Sequence, residues 1–290
     1  MRDRLDPLIA ERAPWLFRET LAAKAAWTGL GKLLAYERSV EIGAHYVDKP
    51  VPEIMADMAR RIARRVTWEG RGNLPATGPA LIVANHPTGI ADGIVLHHVL
   101  RDVREDAFYY ANSDILRVLP QFSDIVVPVE WREERRTVSK TRETMALTRK
   151  ALDAGRLGVI FPSGRLAKRR GLSLHERPWM ASAAMIARKF ALPVVPVHIR
   201  ARNSALFYAF DAMHPTLRDI TLFHETLNKD VQPYHIRFGR PIDGAALPKS
   251  AEDGIEVLRE AVLRLPGERH GEIDLTRHRP GLRIGGRRTA

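Results

Sequence analysis

The chain reads as an α/β protein, a single mixed, largely parallel sheet flanked by helices and preceded by an N-terminal amphipathic helical segment. Three observations predict this. Short, dense apolar runs recur from residue 80 onward, longer helical patterns separate several of them, and polar turns bearing glycine and proline follow two of the runs. At 290 residues, with 45% hydrophobic and 28% charged side chains, the composition is that of a folded chain with a full core.

Taken in order, the N-terminus MRDRLDPLIAERAPW carries acids and prolines where a secretory signal would need an apolar run, so none is expected. Residues 15–36 read as one helix, with Leu16, Ala23, Trp27, Leu30 and Leu34 on one face. Arg18, Lys24 and Lys32 are its cations, and Trp15 and Trp27 suit a lipid interface, although an ordinary packed helix has the same periodicity. Residues 52–66 read as a second amphipathic helix, with Ile54, Met55, Met58, Ile62 and Val66 on the apolar side. Strands are expected at 80–85, 107–111, 124–129, 157–162, 194–199 and 234–239, and helices at 91–102, 137–154 and 178–190. The tail from Pro266, rich in glycine and arginine, is expected to fray. The expected organisation is a helical, membrane-associating segment at 1–64, a catalytic domain at 65–265 and a basic flexible tail at 266–290.

The formal net charge of +12 suits nucleic acid, an anionic membrane or soluble acidic ligands. Nucleic acid is not expected as a partner, because no recognisable module is present and the arginines are dispersed or in the tail. The absence of cysteine excludes disulfides, zinc–thiolate sites and a cysteine nucleophile. No stretch approaches the roughly 20 apolar residues of a spanning helix. The expected location is therefore cytoplasmic, peripheral on the inner face of the cell membrane.

The most informative stretch runs from Ala84 to Gly93. A buried strand ends at Asn85, and a turn holding Pro87 and Gly89 separates His86 from Asp92. Ligands bind at the carboxyl ends of strands in open α/β sheets, so the turn is well placed. Histidine titrates near neutrality and can take a proton from a hydroxyl, and an aspartate on its other nitrogen would fix the tautomer. On a continuous helix residues six apart are about 240° apart around the axis, so the pair meets only if Pro87–Gly89 forms a turn and Asp92 begins the next helix. His97 and His98 lack a neighbouring ligand cluster and read as structural or surface residues, with no metal expected.

A second polar turn, Phe161-Pro162-Ser163-Gly164-Arg165, ends another apolar strand and is followed by Lys168, Arg169 and Arg170. Its backbone N–H groups and Arg165 could hold a phosphate or carboxylate; a solvated basic loop would have the same composition. The surroundings of Ser163 do not match the G-x-S-x-G elbow of a serine hydrolase.

Asn85-His86…Asp92, then Val127-Pro128-Val129-Glu130-Trp131-Arg132, then Phe161 to Arg165, then Leu192-Pro193-Val194-Val195-Pro196-Val197 together resemble the four sequence blocks of the glycerolipid acyltransferase family, the group containing lysophosphatidate acyltransferase. The resemblance spans residues 65–245 and includes Gly72-Asn73-Leu74-Pro75. It implies transfer of a fatty acyl group from acyl-CoA or acyl carrier protein, as co-substrate and with no further cofactor, to the hydroxyl of a lysophospholipid. His86 would be the general base and Asp92 its orienting partner. Asn85, Arg132, Ser163, Gly164 and Arg165 would lie on the substrate, and Pro196 would be structural. The expected partners are a lysolipid acceptor, the acyl donor and an anionic membrane surface. Two features depart from the usual pattern: five residues separate His86 from Asp92 instead of four, and Ser163 stands where the third block carries glutamate. The second departure makes a lyso-aminolipid acceptor, such as a lyso-ornithine lipid, an alternative. A non-catalytic lipid-binding protein on the same fold is a further one.

Overall fold

The structure, a computed structural model, describes residues 1–130, 137–229, 232–265, 267 and 273–275. Strands and helices are numbered along the chain. Eight strands form the main sheet: β1 (Val66–Glu69), β2 (Ala80–Ala84), β3 (Phe108–Asn112), β4 (Val126–Val129), β5 (Leu157–Ile160), β8 (Pro193–Arg200), β9 (Tyr234–Phe238) and β10 (Ile242–Asp243). Their order is β1-β9-β8-β2-β5-β3-β4, with β10 beside the start of β8. The run β8-β2-β5-β3-β4 is parallel throughout, whereas β9 and β10 run antiparallel to β8. The sheet is thus mixed and largely parallel, and the strands expected from the apolar runs are all present.

Strand β2 is central and buried on both faces, which is why it reads as an unbroken apolar run. Its side chains alternate. Ile82 and Ala84 pack with α1 (Arg2–Arg12), α4 (Val51–Ile62) and α5 (Ile90–Leu100). Leu81 and Val83 pack on the other face with residues of α7 (Val138–Asp153), α8 (Ser182–Lys189) and α11 (Ala251–Arg264). Each fully buried aliphatic side chain contributes about 1.5–3 kcal/mol, so this pair of layers carries most of the hydrophobic stabilisation.

The N-terminal region differs from the single helix expected over 15–36. Pro14–Phe17 form a 3-10 turn, and α2 (Leu21–Leu33) begins afresh at Thr20, whose Oγ1 accepts from Ala23 N at 3.1 Å. Ala35, at φ 52°, then breaks α2 from α3 (Tyr36–His45). An alanine-rich composition conceals such a break, because the Thr20 cap and a left-handed residue leave the apolar spacing nearly intact. Of the five residues expected on one apolar face, Leu16, Ala23 and Leu34 are buried in the protein and Trp27 and Leu30 are half-buried. The second helix also ends early, at Ile62, and Val66 belongs to β1 instead of the helical apolar face. Helix α1, with Leu5 and Leu8 buried, was not apparent from its charged, proline-bearing sequence.

A small second sheet joins β6 (Lys168–Arg170), β7 (Ser173–His175) and β11 (Ile273–Asp274) in the order β11-β7-β6. Apart from β11, Leu275 and Gly267, the tail expected to fray from Pro266 lies outside the described residues.

Candidate active site

Strand β2 delivers the site. Asn85, one residue past its end, locks the strand to β8: its Oδ1 accepts from Ile199 N at 2.7 Å and its Nδ2 donates to Ile199 O at 2.9 Å. Both ends of this buried amide are engaged by backbone.

The chain then reverses. Gly89 has φ 98°, a conformation that favours glycine, and a Cβ there would also come within 3.3 Å of the Leu166 side chain. Asp92 lies in the first turn of α5 and reaches back over the reversal. Its Oδ2 accepts from Thr88 N at 2.9 Å and Gly89 N at 3.0 Å, and its Oδ1 accepts from the Thr88 hydroxyl. The carboxylate thereby satisfies otherwise orphaned N–H groups at the helix start, where the helix dipole favours negative charge. The same Oδ2 lies 3.0 Å from Nδ1 of His86. Nδ1 makes no aligned hydrogen bond. Pairs of this kind commonly tighten when substrate binds.

Asp92 is fully buried, while the His86 side chain is 18% exposed at the cavity wall. The imidazole stacks on Phe161, with ring centroids 4.4 Å apart and planes 27° apart. The His86 carbonyl accepts from Ala167 N at 2.9 Å, and its N–H donates to Glu176 Oε2 at 3.3 Å. With Nδ1 against Asp92, Nε2 is the ring nitrogen available on the cavity side.

The second turn closes beside the first. Gly164, at φ 59°, donates to Phe161 O at 2.9 Å, and the buried Ser163 hydroxyl donates to Arg165 O at 2.8 Å. Arg165 lines the cavity. Arg132 lies outside the described residues.

The sequence reading missed several residues here. Glu176 accepts from Trp179 Nε1 at 3.0 Å as well as from His86. Loss of solvent pushes its carboxyl above the ordinary range, against the pull of Trp179, His86 and Ser163. Arg177 and Arg218 join Arg165 on the cavity wall. Burial, then the like charges of Arg218 and Arg165, hold the Arg177 guanidinium below its usual value. Among the described residues the one hydrogen bond of Arg177 runs from Nε to Leu166 O at 2.9 Å, whereas Arg218 is paired with Asp219 at 2.7 Å. Neither Glu176 nor Arg177 stands out in sequence, because both follow a basic hairpin with no apolar pattern.

The cavity measures about 1580 Å³. His86 and the three arginines belong to its polar lining, together with Asp211 and Asp219, and Leu8, Leu16, Trp27, Met55, Ile115 and Phe122 are among its apolar lining from the N-terminal helices and the β3–β4 connection. Such a site can take a proton at Nε2 from a hydroxyl, hold an anion beside it and house a hydrocarbon chain. Among the described residues no group of three His, Asp or Glu could hold a metal ion. His97 instead sits 3.1 Å from the Tyr109 hydroxyl and is pulled down to about 4, chiefly by burial.

The family model described as Acyltransferase matches residues 65–200. Two lyso-glycine lipid O-acyltransferases are similar to the chain. That of Phocaeicola vulgatus is 26% identical over 144 residues, covering 50% of this chain and 50% of that protein. That of Bacteroides thetaiotaomicron is 24% identical over 192 residues, covering 64% of this chain and 69% of that protein. Over residues 65–200 the chain is thus similar to the Acyltransferase family. It spans about half the length of the first of these relatives. The crystal structure of the 1-acyl-sn-glycerophosphate (LPA) acyltransferase PlsC from Thermotoga maritima is also similar, with a TM-score of 0.49 and 13% identity over 92% of this chain and 97% of that one. The acyltransferase match contains His86, Asp92 and the Phe161–Arg165 turn, and excludes Arg218 on α10 (Pro215–Leu227).

Proposed function

We propose that the chain is an O-acyltransferase that moves a fatty acyl group from acyl-CoA or acyl carrier protein to the hydroxyl of a lysolipid. The observation that carries this reading is His86 Nδ1 at 3.0 Å from the buried Asp92 carboxylate, beside a cavity of about 1580 Å³ that is largely apolar. Nε2 of His86 takes the proton of the acceptor hydroxyl. The oxygen attacks the acyl carbonyl, the C–O ester bond forms, the C–S bond breaks, and the proton passes from His86 to the departing thiolate. Asp92 stabilises the imidazolium in between, and no metal or further cofactor enters the steps.

Arg177, whose terminal nitrogens make no protein hydrogen bond among the described residues, favours with Arg165 an acceptor that carries a carboxylate or phosphate, whereas Arg218 is already paired with Asp219. Ser163 in place of a third-block glutamate, together with the substrate named for both bacterial relatives, favours a lyso-aminolipid over glycerol phosphate. Helix α2 turns Leu21 and Leu33 outward with Lys24 and Lys32, which supports peripheral attachment to the anionic inner face of the cell membrane. Among the described residues no helix is long and apolar enough to cross a membrane.

The experiment is transfer of labelled acyl groups from acyl-CoA and from acyl carrier protein to a panel of lyso-aminolipids and lysophosphatidate. Product with one acceptor supports the reading and names the substrate. Tight lipid binding without product on any acceptor supports the non-catalytic alternative.

A further inference from the structure

Behind Asp92 lies a polar network that the transfer step leaves unaccounted for. The Thr88 hydroxyl donates to Asp92 Oδ1 and lies 2.7 Å from the Tyr234 hydroxyl. A hydroxyl has one proton to give, and Thr88 gives it to the carboxylate, so Tyr234 must be the donor in the second bond. The order is therefore fixed: Tyr234 O–H to Thr88 Oγ1, Thr88 O–H to Asp92. Tyr234 is almost wholly buried, and burial together with the nearby Asp92 charge keeps its phenol protonated, as the chain requires.

Elsewhere in the interior, Lys229 Nζ sits 3.0 Å from Glu225 Oε2, with both side chains closed to solvent. Glu225 also accepts from Ser204 N at 2.8 Å and from the Ser204 hydroxyl at the start of α9 (Ala205–Met213). Burial would raise the Glu225 carboxyl, but Lys229 and Ser204 outweigh it and hold it ionised. Burial lowers the Lys229 ammonium from its usual value, against the pull of Glu225 and Asp92.

We propose that Tyr234 and Thr88 are positioning residues for the reaction: their one-directional hydrogen-bond chain locks Asp92 as an acceptor facing His86. The proposal rests on the acyltransferase reading for its consequence, but the network can be tested without it. Other charged and titratable groups facing the pair are Glu176 beyond the imidazole, Tyr208 from α9, and Arg165 and Arg177 along the cavity.

The test is an NMR titration of the His86 imidazole in the full chain, in wild type and in Tyr234→Phe and Thr88→Val, with the His86 signals identified by their loss in His86→Gln. Donors share out the Asp92 charge. Removing one leaves more of that charge acting on the imidazolium, so the His86 titration should move up by about half a pH unit or more. Turnover should fall about tenfold, the loss of one net hydrogen bond, with KM for the acceptor unchanged. Thr88→Ser, which restores the hydroxyl, should recover most of what Thr88→Val loses. A His86 titration in folded Tyr234→Phe that is unmoved, or moves down, overturns the proposal. If wild type transfers no acyl group, the reaction reading fails while the titration still decides the network.

Discussion

The backbone N–H of His86 donates to the carboxylate of Glu176, 90 residues further along the chain and 3.3 Å away. The bond ties the β2 turn to the segment after β7, and the Trp179 indole shares the same carboxylate. Replacing Glu176 with alanine leaves two N–H groups without an acceptor, at a cost of about 1–3 kcal/mol each where they stay buried. Thermal unfolding should show the loss. Glu176→Gln, which keeps one acceptor oxygen, should lose less.

Arg177 should act on the acceptor more than on the chemistry. Its terminal nitrogens have no protein partner among the described residues, and it lines the cavity beside Arg165 and Arg218. Arg177→Ala should raise KM for a carboxylate- or phosphate-bearing lysolipid by about tenfold or more, the value of a charge-assisted hydrogen bond. Turnover at saturation should change little. Equal effects on a neutral and an anionic acceptor would place Arg177 outside the headgroup site.

Leu21 is 88% exposed and Leu33 49% exposed on α2, so burial in the protein does not explain either. The double substitution Leu21→Glu/Leu33→Glu should weaken co-sedimentation with anionic liposomes and leave the unfolding temperature within a few degrees of wild type, as surface changes usually do. Unchanged liposome binding would remove α2 from the membrane contact.

His97 predicts a pH dependence of stability. Burial first, then the charges of Arg101 and His98, depress it to about 4, well below its unfolded value. Between about pH 6.5 and 4 the unfolded chain therefore binds more protons than the folded one, and stability falls as pH is lowered through that window. Chemical denaturation at pH 7 and pH 5 should show wild type losing more than His97→Gln. Parallel losses would assign the acid sensitivity to other groups.

Legibility in the sequence followed the length and contrast of each pattern. The buried strands β2, β5 and β8 are continuous apolar runs, and the polar turns after β2 and β5 announced a site at their ends. Edge strand β1 is mostly exposed and the cationic β6 lacks an apolar face, so neither carries a hydrophobic signal. The break at Thr20 was hidden because alanine and leucine continue on both sides. His86 and Asp92 were visible because they lie only six positions apart, on either side of the Pro87–Gly89 turn. Tyr234 meets Thr88 across 146 residues, and Arg218 reaches the cavity from α10. Contacts of that range are set by sheet order, which local pattern does not encode.

The most direct test of the account is acyl transfer by purified wild type, His86→Ala and Asp92→Asn, each shown to be folded by circular dichroism and thermal unfolding. The account predicts transfer by wild type, no transfer above background by His86→Ala, and a loss of orders of magnitude for Asp92→Asn, as for other oriented histidines. Substantial transfer by folded His86→Ala would contradict the assignment of His86 as the base.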